Sequence, residues 1–181
     1  CPLRSLAVKI LLFTHSLAGG GAERVVATLA NFWARQHREV TVLTLAPQAE
    51  DFYTLDPRVR RIALDQAGAS TGALAALASN GRRVLALRRL LRQLRPQVAI
   101  SMMSTPNVLL ALASRGIAGL CSIGSERCYP PHAPLGRAWS GLRRHTYGRL
   151  SAVVALTHEC ADWIGAHSTA RCGPVIPNPV V

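Results

Sequence analysis

Leu11-Leu12-Phe13-Thr14-His15-Ser16-Leu17-Ala18-Gly19-Gly20-Gly21-Ala22-Glu23-Arg24-Val25-Val26 reads as a buried strand, a glycine turn and the first turn of a helix. Leu6 to Phe13 is a nearly continuous apolar run, as a parallel strand covered on both faces requires. The three glycines let the backbone turn tightly and approach a ligand with no Cβ between. Beyond them Val25, Val26, Leu29 and Ala30 recur at helical spacing. The first N–H groups of a helix have no partner inside it and carry partial positive charge, so this junction suits a phosphate. Gly19, Gly20 and Gly21 are therefore the candidate phosphate-binding residues.

A dinucleotide-binding fold begins in the same way, and the details separate the two. Gly19 and Gly21 fill the first two places of G-x-G-x-x-G, but Arg24 stands at the third, where close helix–strand packing normally calls for glycine. The second strand, Glu39 to Ala46, lacks the terminal acid that would hold a ribose hydroxyl. It runs into Pro47, with Glu50 and Asp51 only further along the loop. An NAD- or nucleotide-dependent Rossmann enzyme thus stands as the alternative.

Further along, Val59 to Leu64 predicts a third strand, and residues 66–81 an Ala-, Gly- and Ser-rich connection that becomes helical. Arg82 to Arg95 is amphipathic, with Val84, Leu87, Leu91 and Leu94 on one side, Leu90 beside them and Arg82, Arg88, Arg89, Arg92 and Arg95 opposite. Pro96 should stop it. Val98 to Met103 predicts a strand, and Ser104-Thr105-Pro106 a helix start with proline at its first position, running to Arg115 with Gly116 as cap. Leu120 to Ser125 predicts a strand, then a polar, proline-rich loop. A helix over Arg137 to Arg149, a strand over Ala152 to Leu156 and a helix from near Thr157 follow. This alternation predicts an α/β fold, a Rossmann-like parallel sheet with helices on both faces. Ligands collect at the carboxyl ends of such strands, here the glycine turn, Ser101 to Thr105, Ser125 to Arg127 and Thr157 to Glu159.

The 181 residues suit one domain, and with 49% hydrophobic and 17% charged residues a sizeable core is available. The formal charge of +12 is carried almost wholly by arginine, Lys9 being the sole lysine. Such a charge fits solvated arginine-rich faces, or a surface that meets nucleotide phosphates, a lipid-linked acceptor or an anionic membrane. A basic anion- or nucleic-acid-binding module is a second alternative. Against nucleic acid stand the 5% aromatic content and the lack of a recognisable motif, so no nucleic-acid partner is expected. The five cysteines, Cys1, Cys121, Cys128, Cys160 and Cys172, form no C-x-x-C pair and are odd in number, which predicts a reducing, cytoplasmic setting. The spacing of His158, Cys160, His167 and Cys172 matches no common zinc site, and no metal is expected. His15, His132 and His145 pair with no nucleophile. No apolar run reaches the length of a membrane span, and no cleavage-like segment separates the first strand from the glycine turn. The chain starts at Cys1 without a methionine, so further native residues are expected ahead of it.

Gly20-Gly21-Ala22-Glu23-Arg24-Val25-Val26, then Leu29-Ala30, then His37-Arg38-Glu39-Val40-Thr41-Val42-Leu43-Thr44, resemble the N-terminal half of a family 4 glycosyltransferase. Those are retaining enzymes of two facing Rossmann-like domains, the GT-B architecture. Ser125-Glu126-Arg127 resembles a second family motif, although Cys128-Tyr129 departs from what usually follows it. Ala152 to Thr157 resembles the strand that closes the domain, and Ile176-Pro177-Asn178-Pro179-Val180 the linker out of it. The resemblance runs from Leu6 to Pro179. It implies an acceptor-side domain over residues 1–174 and, over 175–181, the start of a linker to a missing C-terminal donor-binding domain. It also implies transfer of a sugar from a UDP-sugar to a glycan or lipid-linked acceptor, in lipopolysaccharide or surface-polysaccharide synthesis. The nucleotide-sugar is a co-substrate and no cofactor is implied. The setting would be cytoplasmic, peripheral on the inner face of the membrane. Glu126 and Arg127 would position the acceptor hydroxyl and balance charge around the diphosphate, or else form a mutual ion pair that only shapes the loop. Lacking the donor half, the chain by itself is expected to be inactive.

Overall fold

The computed structural model describes residues 8–68 and 72–178. Among the described residues seven strands form one parallel sheet: β1 (Lys9–Thr14), β2 (Glu39–Thr44), β3 (Arg60–Ala63), β4 (Val98–Met102), β5 (Cys121–Ser125), β6 (Ala152–Ala155) and β7 (Cys172–Val175). Their spatial order is β3-β2-β1-β4-β5-β6-β7. Five α-helices connect them: α1 (Gly21–Arg35), α2 (Ala73–Leu94), α3 (Ser104–Ala113), α4 (Arg137–Thr146) and α5 (His158–His167). The chain moves one way from β1 to β3, then returns past β1 to build β4 to β7. The direction reverses between β1 and β4, and a crevice opens at such a point beyond the carboxyl ends of the strands.

Alternation along the strands sorts the core into two layers. Leu11 and Phe13 of β1 face α2, α3 and α5, packing with Leu87, Leu91, Val108, Leu110 and Ile164. Leu12 faces the other way, with Val40, Val42 and Met102 against Val25, Val26, Ala30 and Ala34 of α1. The predicted apolar side of α2 is therefore the buried one. Leu87 and Leu91 are fully buried, and Val84, Leu90 and Leu94 pack half-buried around them. Burying each of those two leucines contributes about 1.5–3 kcal/mol.

Several boundaries differ from the sequence reading. Helix α2 begins at Ala73 rather than Arg82, because its alanines and leucines are strong helix formers and a single interior glycine, Gly81, is tolerated. Part of the predicted connection, residues 69–71, lies outside the described residues. Helix α3 starts at Ser104 with Met103 as its N-cap, and Pro106 is its third residue rather than its first. The helix expected over Arg137 to Arg149 ends at Thr146 and tightens into a 3-10 turn, Tyr147–Arg149. Strand β7 escaped the sequence reading because Gly173 and Pro174 interrupt it. Proline is tolerated there because β7 lies at the edge of the sheet.

Candidate functional site

The glycine turn leaves β1 at one wall of the crevice. Gly20 caps α1 with no side-chain cap, and its own N–H donates to the Ala18 carbonyl at 2.8 Å. The N–H groups of Gly19 and Gly21 take no partner among the described residues. None of the three glycines has a positive φ, so the turn itself does not demand glycine. They differ in what a side chain would meet. A Cβ on Gly20 would collide with the Glu23 carboxylate, which folds back over the turn, where the Ser16 hydroxyl donates to it at 3.4 Å. A Cβ on Gly21 would meet nothing within 4 Å. No neighbour within the protein accounts for the missing side chain there.

The loop after β2 closes over this turn. The Tyr53 hydroxyl donates to the Gly20 carbonyl at 2.9 Å, and the Phe52 N–H donates to the Leu17 carbonyl at 2.9 Å. Asp51 accepts a two-pronged bond from Arg61 on β3, with Nε and Nη2 each 2.7 Å from a carboxylate oxygen. Asp51, one of the two acids further along this loop, is thus committed to an arginine and is not free to hold a ribose hydroxyl.

The other wall is built where β4 and β5 end. Met103 has φ 77° and ψ 159°, a conformation rare for any residue but glycine. It is held there by its N–H to the Ser125 carbonyl at 2.9 Å and by its carbonyl, which accepts from the Asn107 N–H at 3.0 Å. That turn delivers Ser104 to Glu126: the Ser104 hydroxyl donates to Oε1 at 2.7 Å. The Tyr147 hydroxyl donates to Oε2 at 2.7 Å and accepts from Asn107 Nδ2 at 3.3 Å, while Ser101 donates to Asn107 Oδ1 at 2.7 Å. Glu126 is only 1% exposed. Its carboxylate therefore ends a buried hydrogen-bonded chain that ties β4, α3, β5 and the end of α4 together.

Arg127 does not pair with Glu126. The ion pairs among the described residues are Lys9–Glu39, Arg58–Asp56 and Arg61–Asp51. The mutual pair considered from the sequence is absent, because the Glu126 carboxylate turns inward to the two hydroxyls. Arg127 is half-buried with its Nε unpartnered, and burial pulls its pKa below the ordinary arginine value. Arg143 of α4 is also buried, its guanidinium 4.6 Å from the centre of the Trp163 ring, and its charge acts on Glu126. Asn107, Tyr147 and Arg143 were missed as site residues. Ser104 lay within the Ser101 to Thr105 edge where ligands were expected, but its helix-start signature pointed to a cap rather than to Glu126.

Burial raises the Glu126 pKa, while the Ser104 and Tyr147 hydroxyls and Arg143 partly oppose the rise. A carboxyl raised in the folded state contributes stability that is full below its unfolded value and lost as pH rises through the folded one. Glu126→Gln cannot ionise, so we expect its stability to gain on the wild type as pH climbs from the ordinary value of 4.5 toward neutrality. Denaturant unfolding at several pH values measures this. A stability difference constant across that range would mean that burial does not disfavour the charged form.

The remaining sequence candidates sit elsewhere. His15, His132 and His145 are exposed. Cys160 is buried, its pKa pushed up to about 11 chiefly by burial, and Cys172 is exposed on β7. Among the described residues no group of three His, Cys, Asp or Glu side chains is placed to hold a metal. No described helix is long and apolar enough to cross a membrane.

The sequence matches the model of Glycosyltransferase Family 4 over residues 19–181. The chain belongs to glycosyltransferase family 4. A relative is the GalNAc-alpha-(1->4)-GalNAc-alpha-(1->3)-diNAcBac-PP-undecaprenol alpha-1,4-N-acetyl-D-galactosaminyltransferase of Campylobacter jejuni subsp. jejuni serotype O:2. It is 30% identical over 149 residues, 82% of this chain and 40% of that protein. The family 4 chain thus spans well under half the length of that relative. Among solved structures, HepE from Anabaena in complex with UDP superposes with a TM-score of 0.60 at 17% identity, over 96% of this chain and 44% of that one. Its complex with UDP-glucose gives a TM-score of 0.58 at 19% identity, over 95% and 44%. A putative UDP-N-acetylglucosamine 2-epimerase from Listeria monocytogenes gives 0.61 at 13% identity, over 88% and 42%. The fold is a Rossmann-like half of the GT-B architecture. Because an epimerase superposes as well as HepE does, the fold alone does not assign the chemistry.

Proposed function

We propose that this family 4 domain is the N-terminal, acceptor-side half of a retaining glycosyltransferase. It moves a sugar from a UDP-sugar to a glycan carried on a lipid diphosphate, in the synthesis of lipopolysaccharide or another surface polysaccharide. Residues 175–181 begin the linker to a donor-binding domain. The observation that carries the reading is Gly21: exposed, of ordinary φ, with open space where a side chain would stand, beside two unpartnered amides at an uncapped helix start. That is the geometry by which a helix N-terminus receives a diphosphate. The C. jejuni relative, whose name prints a polyprenyl-diphosphate glycan, and HepE with UDP-glucose support the substrate classes.

On this reading the domain works by positioning and by stabilising charge on the departing diphosphate. The Gly19 and Gly21 amides face the diphosphate, Gly20 keeps its slot free for Glu23, and Arg127 balances charge on the acceptor side. Glu126 acts from behind, holding Ser104 and the start of the Arg127 loop. No cofactor beyond the nucleotide-sugar is called for.

The protein would sit at the cytoplasmic face of a membrane. Along α2, Leu74, Leu77 and Leu85 are exposed on the side that also carries Arg82, Arg89 and Arg92, apolar then basic, which suits an anionic bilayer interface. Arg88 was counted with that face, but it donates to the Ala113 and Arg115 carbonyls and caps α3. Trp139 of α4 is half-buried against the core and is not offered to such an interface.

One experiment tests the whole reading. The full-length protein is given UDP-sugars and a polyprenyl-diphosphate glycan in anionic or neutral vesicles. Transfer with retained anomeric configuration and preferential binding to the anionic vesicles are expected, with no transfer by the 181-residue chain alone. Transfer by that chain, or an inverted product, would overturn the assignment. Equal partitioning would remove the membrane clause.

A further inference from the structure

Phe52 is an anomaly of the surface. It is 73% exposed, yet it does not sit on a loose segment. Its N–H is bound to the Leu17 carbonyl, its predecessor Asp51 is forked by Arg61, and its successor Tyr53 is bound through its hydroxyl to Gly20. The Arg61 and Asp51 side chains are themselves 8% and 16% exposed, so the fork is shielded from solvent. The ring meets Tyr53 edge-on, with centroids 5.1 Å apart and planes at 85°. On the other side it runs alongside Gly19, where a Cβ would sit 3.9 Å from the ring.

A phenyl ring left in water forgoes the free energy of burial, and a flexible loop would let it fold away. Here three anchors hold it out, beside the glycine turn and at the carboxyl edge where ligands bind. Such an arrangement is pre-organised: the ordering cost is met in folding and not again on binding. An aromatic face of this kind suits a ligand with an apolar patch and a polar rim. A pyranose ring is such a ligand, since its axial C–H groups form a flat apolar patch and its hydroxyls point outward. Gln48 and Glu50, exposed on the same short turn, supply polar groups for that rim.

We propose that Phe52 is a stacking platform for a sugar ring of the acceptor glycan. The proposal rests on the acceptor-side reading above and adds to it the element of this domain that grips the glycan. The nucleotide is not the occupant, because on that reading the donor belongs mainly to the other half. Phe52 sets acceptor affinity and takes no part in the transfer itself.

The test uses the full-length protein and two variants, Phe52→Ala and Phe52→Trp. Phe52→Ala should raise the acceptor KM about tenfold, with kcat and the KM for the UDP-sugar within about twofold of wild type. Phe52→Trp, which restores an aromatic face, should return the acceptor KM. An unchanged acceptor KM would overturn the proposal, and so would a parallel loss in kcat or donor KM, which would make the ring a domain-closing or nucleotide contact. A second readout stands apart from turnover. Methyl glycosides of N-acetylhexosamines, added without donor, should receive magnetisation from the Phe52 ring in saturation-transfer NMR and lose it in Phe52→Ala. No transfer from that ring in the wild type would overturn the proposal. If the wild type fails to transfer sugar at all, the transferase reading falls, while this binding result still decides the role of Phe52.

Discussion

Gly21→Val is expected to lower sugar-transfer turnover of the full-length protein about 10²–10³-fold while leaving the domain folded. The magnitude is that of losing one pre-organised donor where charge develops. Nothing in the domain resists the valine: the position is exposed, its φ is ordinary and a Cβ meets no atom within 4 Å. Helix propensity adds no local cost either, since valine ranks above glycine in a helix. What the side chain would obstruct is the approach of a diphosphate to the open amides. Gly20→Val is the control with the opposite signature. There valine replaces a favoured N-cap residue and the flexible Glu23 carboxylate must swing aside, so stability falls by about 1 kcal/mol and total activity follows the folded fraction. Turnover normalised to folded protein separates the two. Near-normal turnover per folded Gly21→Val molecule would reduce the glycine turn to a connection.

Arg61→Met should destabilise the domain by about 3 kcal/mol, the scale of breaking a largely buried ion pair by removing one partner. Arg61 does more than neutralise Asp51. Its Nη2 also donates to Thr44 Oγ1 at 2.7 Å, and that hydroxyl donates in turn to the Ala46 carbonyl at 2.7 Å, so the guanidinium stitches β3 to the end of β2 and to the loop. Methionine fills much of the volume and supplies no donor, leaving the Asp51 carboxylate without its fork. Urea unfolding reads the stability. Hydrogen exchange at the Phe52 amide, bound to Leu17 in the native loop, reads whether the loop has come free. A cost below about 1 kcal/mol would class the pair with ordinary surface ion pairs, which contribute little. The loop would then owe its position to Tyr53 and the Leu17 bond.

The glycine turn was legible in the sequence because its signals are local. Apolar run, glycines and helical periodicity all lie within one short segment. Helix α1 forms where they predict, and β1 takes Lys9–Thr14 of the run, Leu6 and Ala7 lying outside the described residues. The same holds for the buried side of α2, where spacing alone picked out Leu87 and Leu91. The start of α2 was misplaced because alanine-rich sequence is compatible with a flexible connection as well as with helix. Strand β7 was missed because its only partner, β6, lies some twenty residues away and its proline and glycine argue locally against a strand. The Glu126–Arg127 motif was found by resemblance, but its inward geometry was not.

What the sequence by itself determined is the alternating α/β pattern, the place of the glycine turn and the family. These rest on periodicities and motifs carried by consecutive residues. Only the tertiary structure decided where each candidate site residue points and what it meets. It turned Glu126 inward onto Ser104 and Tyr147, engaged the Gly20 amide and left Gly21 open, and held Phe52 out beside the turn through Arg61. Each of those outcomes depends on which side chains meet across elements distant in sequence. A buried carboxylate must find donors wherever the packed core supplies them, and no local pattern states where that will be.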